Sequence, residues 1–203
     1  MFKRLASEAL GLSDLGIIVS PQDYDKVDAD DYLFHEDNEK IYFLIKSKKD
    51  EYCFTNLALI HVDGDSAVSS KRAIRRYDYS HHFIDNVSIE TAGTIDRDVE
   101  LKFTLLDVPA FSIDVRKNQL EQLKDIYKAL HTIGRIQHRN AQARENVLPC
   151  LQALGAMHKI TEVESEATLV KHYQALLHAV NTMALDRYHK RDFGDVFEKY
   201  LRS

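Results

Sequence analysis

Hydrophobic and polar positions alternate most regularly in the middle of the chain. Short apolar runs at 41–45 and 52–55 flank Ser47-Lys48-Lys49-Asp50, and a third run at 57–62 follows almost at once. Runs of β-branched and aromatic residues separated by turn formers predict a strand meander. Residues 71–79 mix Arg72, Arg75 and Arg76 with Ala73, Ile74, Tyr77 and Tyr79 and read as a half-exposed strand, and 84–91 as a further one. Two clean alternations come next. Val99, Leu101, Phe103 and Leu105 oppose Glu100, Lys102 and Thr104; beyond Pro109, Phe111, Ile113 and Val115 oppose Ser112, Asp114 and Arg116. Each predicts an antiparallel strand buried on one side. Seven strands in about 75 residues is the spacing of a small barrel or sandwich.

At Asn118 the period changes from 2 to 3.6. Asn118 with Glu121 forms a candidate capping box, and Leu120, Leu123, Tyr127 and Leu130 mark an apolar stripe that closes the strand domain. Ile133 and Ile136 extend the helix, the polar stretch 137–146 predicts an interruption, and Val147, Leu151, Leu154 and Met157 resume the pattern past Pro149. Thr161 with Glu164 predicts another helix start. Leu169, Tyr173, Leu176, Val180 and Met183 then keep a 4-3-4-3 spacing, the geometry of a seam between helices. Asp192-Phe193-Gly194 breaks this before a last amphipathic turn. Residues 1–15 permit a short helix. The expected division is a strand domain at 1–130 and a helical hairpin at 131–203. Two helices bury only one stripe each and need a further surface, either the strand domain or another copy of the chain.

At 203 residues, 44% hydrophobic and 29% charged, the chain has an ordinary globular composition. No apolar run approaches the ~18–20 residues of a membrane span, and Lys3 and Arg4 are not followed by a signal-peptide core, so a cytoplasmic protein is expected. Cys53 and Cys150 read as reduced, buried thiols. Up to Leu130 there are 17 Lys and Arg against 24 Asp and Glu, a net −7; beyond it, 10 against 8, a net +2. A strand domain so acidic argues against a nucleic-acid partner. Eight acids between Asp23 and Glu39 lack the central glycine and register of a calcium loop and read as a solvated acidic surface. The ten histidines do not pair at metal-ligand spacing: His81-His82 on a strand would diverge, and His131 and His138 lie two helical turns apart. Neither Gly-x-Gly-x-x-Gly nor Gly-x-Ser-x-Gly occurs, so no catalytic residue, metal or cofactor is assigned.

Three stretches carry a family resemblance. They are Asp50-Glu51-Tyr52-Cys53-Phe54-Thr55-Asn56 leading into Leu59-Ile60, the turn Ser88-Ile89-Glu90-Thr91-Ala92-Gly93, and the strand Asp98-Val99-Glu100-Leu101. In this order the chain resembles the bacterial pleckstrin-homology domain family, of YvbH-like type, with an appended helical oligomerisation region. The resemblance implies an α+β fold: a pleckstrin-homology-like seven-stranded antiparallel barrel or sandwich closed by a helix, followed by the helical hairpin. It also implies a non-enzymatic interaction module that assembles into cyclic homo-oligomers and binds a protein partner where neighbouring strand domains meet. The seam Leu169, Tyr173, Leu176, Val180 and Met183 supplies one interface for such assembly. The alternative is peripheral attachment to anionic membranes. In phosphoinositide-binding relatives a late strand-one lysine and a basic pair on strand two hold the headgroup; here Lys46, Lys48 and Lys49 stand at the first turn with Arg72 nearby, but Tyr52 and Cys53 occupy the place of the pair. Three lysines at about 1 kcal/mol each give a marginal membrane affinity.

Overall fold

The computed structural model describes residues 14–64, 72–91, 98–157 and 166–201. It divides into two compact units, 1–134 with 191–203, and 135–190. Residues 191–203 thus group with the strands, not with the helical region where the expected boundary puts them. Most of the expected N-terminal helix and of the loop at 63–70, the turn at Ala92-Gly93 and the cap at Thr161-Glu164 lie outside the described residues.

The first unit holds two antiparallel sheets. Five strands pair in the order β1 (Ile17–Ile18), β2 (Ile41–Lys46), β3 (Asp50–Thr55), β4 (Ala58–Gly64) and β5 (Arg72–Asp78); three pair as β6 (Ile84–Thr91), β7 (Asp98–Leu105) and β8 (Val108–Arg116). Seven match the predicted runs. The eighth, β1, is too short to leave a periodicity. It is fixed by Gly16, whose amide donates to the Asp114 carbonyl (2.7 Å) while its own carbonyl accepts from the Arg116 amide (3.1 Å). A Cβ at Gly16 would stand 2.8 Å from that Asp114 oxygen, so only glycine permits the approach. The Gln119 side-chain amide imitates a further strand, accepting from Ile18 N–H (2.8 Å) and donating to its carbonyl (3.2 Å). These contacts join the sheets along one side. Along the other, β5 and β6 do not pair, so the architecture is an open sandwich and not a closed barrel.

Strand alternation makes the five-stranded sheet apolar on both faces. Phe43, Ile45, Phe54 and Leu59 face inward to Leu101, Phe103, Phe111 and Ile113 of the smaller sheet; Phe103 and Phe111 stack with centroids 4.9 Å apart. Leu44, Cys53, Ile60 and Val62 face outward, and the chain from Val19 to Leu33 folds over them in 3-10 turns, burying Val19, Val27, Ala29 and Leu33. The acid-rich stretch is therefore only partly the solvated surface its composition suggests. Two carboxylates anchor this cover. Glu51, 1% exposed, pairs with Lys46 and accepts from the amides of Asp28 (3.3 Å) and Ala29 (2.9 Å). Glu39, its side chain fully buried, accepts from Thr55 Oγ1 (2.6 Å), the Phe34 amide (2.8 Å) and Arg76 Nη1 (2.9 Å).

Helix α1 (Leu120–Glu145) closes one end of the sandwich with Leu123, Ile126, Ala129, Leu130 and Ile133, all fully buried. It begins from a 3-10 turn at Lys117–Gln119 without a side-chain cap, and Glu121 bonds Lys124 (2.6 Å) in place of the expected capping box. Nor does it stop at the polar stretch. Gln, Arg and Ala between 137 and 145 are good helix formers, and loss of an apolar stripe does not itself end a helix. In the second unit α1 continues to Glu145, α2 (Val147–Met157) carries Pro149 in its first turn, where the missing amide is harmless, and α3 (Glu166–Asn181) follows. The last helix, α4 (Gly194–Tyr200), belongs to the first unit.

Glu51→Gln leaves the Lys46 ammonium buried beside a neutral amide. The expected loss of stability is about 3–5 kcal/mol, read from urea unfolding; a loss below about 1 kcal/mol would mean that the pair does not hold the outer cover.

Candidate interaction site

The structure does not gather the four basic residues Lys46, Lys48, Lys49 and Arg72 into one exposed cluster. Lys46 lies in the outer-face ion pair with Glu51, 4% exposed, because alternation turns it under the 3-10 cover. Arg72 bonds the Lys49 carbonyl (3.2 Å) and pairs with Asp28 (3.2 Å). Lys48 and Lys49 remain exposed at the tip of the β2–β3 turn. Their turn is closed by Ser47 Oγ, which accepts from the Asp50 amide (3.0 Å).

Behind this turn, the inner face of β3, β4 and β5 ends in an aromatic floor with a charged rim. His61 stacks on Tyr52 (centroids 4.5 Å apart, 10° between planes) and meets Phe111 edge-on, while its Nε2 lies 3.0 Å from Asp50 Oδ1. Burial, with Asp50, Asp63 and Asp114 nearby, pushes the Tyr52 phenol well above its ordinary range, so it stays neutral. Arg75 Nη1 bonds Asp63 (2.8 Å) and holds that carboxyl below the usual range. Among the described residues, His81 and His82 sit in the turn after β5, not on a strand, both amides bonding the Asp78 carbonyl, and His189 accepts from Arg144 (2.9 Å). Among the described residues, no three His, Cys, Asp or Glu side chains converge on a point where a metal ion could sit. Cys53 is buried and burial raises its thiol pKa, whereas Cys150 is exposed, contrary to the expectation of two buried thiols.

The Phe54-Thr55-Asn56 motif has a structural use. Thr55 Oγ1 accepts from the amides of Leu57 (3.1 Å) and Ala58 (2.9 Å), which turns β3 into β4. Asn56 reaches two segments: its Oδ1 accepts from Lys40 N–H (2.9 Å), its Nδ2 donates to Asp192 Oδ2 (2.7 Å), and its carbonyl accepts from Phe193 N–H (2.8 Å). Asp192 also accepts from the Gly194 amide (2.7 Å) and so starts α4. Phe193 and Phe197 are fully buried, Phe197 stacking on Tyr42 (5.3 Å) and Phe193 meeting Tyr79 edge-on (5.8 Å). Tyr42 Oη donates to Glu198 (2.8 Å), and burial together with that carboxylate pushes the phenol up to about 12. In the sequence Asp192-Phe193-Gly194 shows only as a break; its contacts with Asn56, distant in the chain, leave no local pattern.

The seam residues lie on the second unit. Leu169, Tyr173, Leu176 and Met183 are 46%, 65%, 53% and 46% exposed, Val180 is half-buried, and Val170 and Leu177 widen the stripe at 46% each. Helical spacing puts Leu169, Tyr173, Leu176 and Val180 on one face, as expected from the sequence.

Two stacked antiparallel sheets with one end closed by a helix define a fold of the pleckstrin-homology class. The chain belongs to the bacterial PH domain family, whose model matches residues 9–133. It is 52% identical over 207 residues, covering both chains completely, to the uncharacterized protein YvbH of Bacillus subtilis strain 168. It also resembles the crystal structure of a PH-domain-containing protein of Exiguobacterium sibiricum 255-15, with TM-score 0.81 and 43% identity, covering 93% of this chain and all of that one. No helix among the described residues is long and apolar enough to cross a membrane.

Phe197→Ala removes the stacked ring under α4 and is expected to cost about 3–5 kcal/mol. Limited proteolysis should then cut within 191–201, while in the wild type that segment resists; equal resistance in both would show that the latch is held by other contacts.

Proposed function

We propose that this protein is a non-enzymatic interaction scaffold that self-assembles into a higher-order, cyclic homo-oligomer through its helical unit and binds a protein partner through its strand unit. The observation that carries the reading is the apolar face of α3. Five large side chains at Leu169, Val170, Tyr173, Leu176 and Leu177 are each about half exposed on one 16-residue helix. A contiguous patch of this kind on a lone protein marks an interaction site, and a helix of this length owes most of its stability to burying such a face. Membership of a PH-domain family supports an interaction module in general terms. A ring requires one patch to meet a different patch on the neighbour, with closure by rotation.

Peripheral attachment to anionic lipid is the weaker reading. With Lys46 in its ion pair and Arg72 on Asp28, Lys48 and Lys49 alone supply about 2 kcal/mol, beside the carboxylate of Asp50.

Leu176→Asp puts a charge at the centre of the stripe. Light scattering should show the variant dissociated to smaller species, with the strand content unchanged by circular dichroism. Retention of the wild-type mass with a lowered melting temperature would place the seam within one chain and overturn the reading.

A further inference from the structure

The smaller sheet offers a second surface. β6 pairs with β7 and, among the described residues, has no strand on its other side. Every second residue of such an edge turns its N–H and C=O outward, ready for another strand. The bulge between Asp85 and Ser88, with Asn86 at φ 52°, disrupts the start of this edge and leaves residues 88–91 as its regular part.

Helix α1 runs beside the edge and touches it at one end. A Cβ at Gly134 would stand 2.2 Å from the Ile84 carbonyl, so the two backbones meet there only because the residue is glycine. Toward the other end they part, and Leu120, Lys124 and Tyr127 face Val87, Ser88, Ile89 and Thr91 across a groove of about 410 Å³. The two sides of the edge differ in chemistry. Ile89 and Thr91 stand opposite Leu101 and Val99, which are buried in the sandwich, so they face inward to this groove. Glu90 faces the opposite way, where it borders a depression shared with Asp98, Glu100 and Asp114. Four carboxylates there meet Lys102, which bonds Glu90 (2.7 Å) and Glu100 (2.9 Å), and Arg116, opposite Asp98 in the register. Burial and the neighbouring Glu100 and Asp98 raise the Asp114 carboxyl, while Ser112 and Lys102 hold that of Glu100 below its usual range.

We propose that β6 accepts, by strand addition, an extended partner segment in which apolar and basic residues alternate. Backbone groups pair with residues 88–91, apolar side chains enter the groove beside Leu120 and Tyr127, and basic ones meet the carboxylates around Glu90. The inference deepens the partner-binding half of the function proposed above and is independent of self-assembly.

The test uses the full chain and fluorescein-labelled peptides in anisotropy titrations. The probes are a Val-Lys repeat about eight residues long, the matching Val-Glu repeat, and the Val-Lys repeat N-methylated at alternate residues. The Val-Lys peptide should bind. N-methylation, charge reversal in the peptide and the variant Glu90→Lys should each weaken it about tenfold or more, and amide exchange over 87–91 should slow when it binds. No binding, or equal binding of the N-methylated peptide, overturns strand addition; equal binding of Val-Glu overturns the charge assignment. Protection of 87–91 without peptide, rising with protein concentration, assigns the edge to a second copy and also overturns it. A monomer that still binds the peptide would sink self-assembly alone, and an oligomer that does not would sink strand addition alone.

Discussion

A sheet with two apolar faces cannot leave either in water, and this constraint organises the strand unit. Phe43, Ile45, Phe54 and Leu59 on one face and Leu44, Cys53, Ile60 and Val62 on the other are each nearly inaccessible. The smaller sheet and α1 cover the first set; the acid-rich 3-10 segment covers the second. That second cover brings polar groups under it, which is tolerable only where each finds partners. Glu39 and Glu51 meet this condition with three contacts each, from an amide, hydroxyl or cation. The Lys46 ammonium is thereby buried in its pair with Glu51 beneath the outer cover.

The same sheet explains the C-terminal arrangement. Asn56, at the β3–β4 turn, binds the segment that precedes α4, and Phe193 and Phe197 pack on Tyr79 and Tyr42. The chain therefore leaves the strand unit along α1 and returns to it at Arg191, so the helical unit is joined at both ends. The α3 face of that unit exposes Tyr173 and Leu176.

Alternation with period 2 made two strands legible, because one-sided burial writes itself directly into residue type at 99–105 and 111–115; the other five showed as apolar or mixed runs between turn formers. The stripe Leu169, Tyr173, Leu176 and Val180 on α3 was legible through its helical spacing. What escaped had no periodicity to show. β1 spans two residues and depends on Gly16 and Gln119, which are partners distant in sequence. The burial of Lys46, Glu39 and Glu51 was hidden because composition sorts charged residues outward, whereas register sorts these inward. The continuation of α1 through 137–145 followed helix propensity, where the reading had followed the apolar stripe. Phe54-Thr55-Asn56 was recognised as a mark of the family, and the structure gives it a physical task in anchoring Glu39 and α4.

The central claim is that the α3 face is covered by other copies of the chain. Sedimentation velocity of the unmodified full-length protein at micromolar concentration tests it most directly. The account predicts a single species at a multiple of 23.4 kDa, constant on tenfold dilution. A species at 23.4 kDa throughout would contradict it.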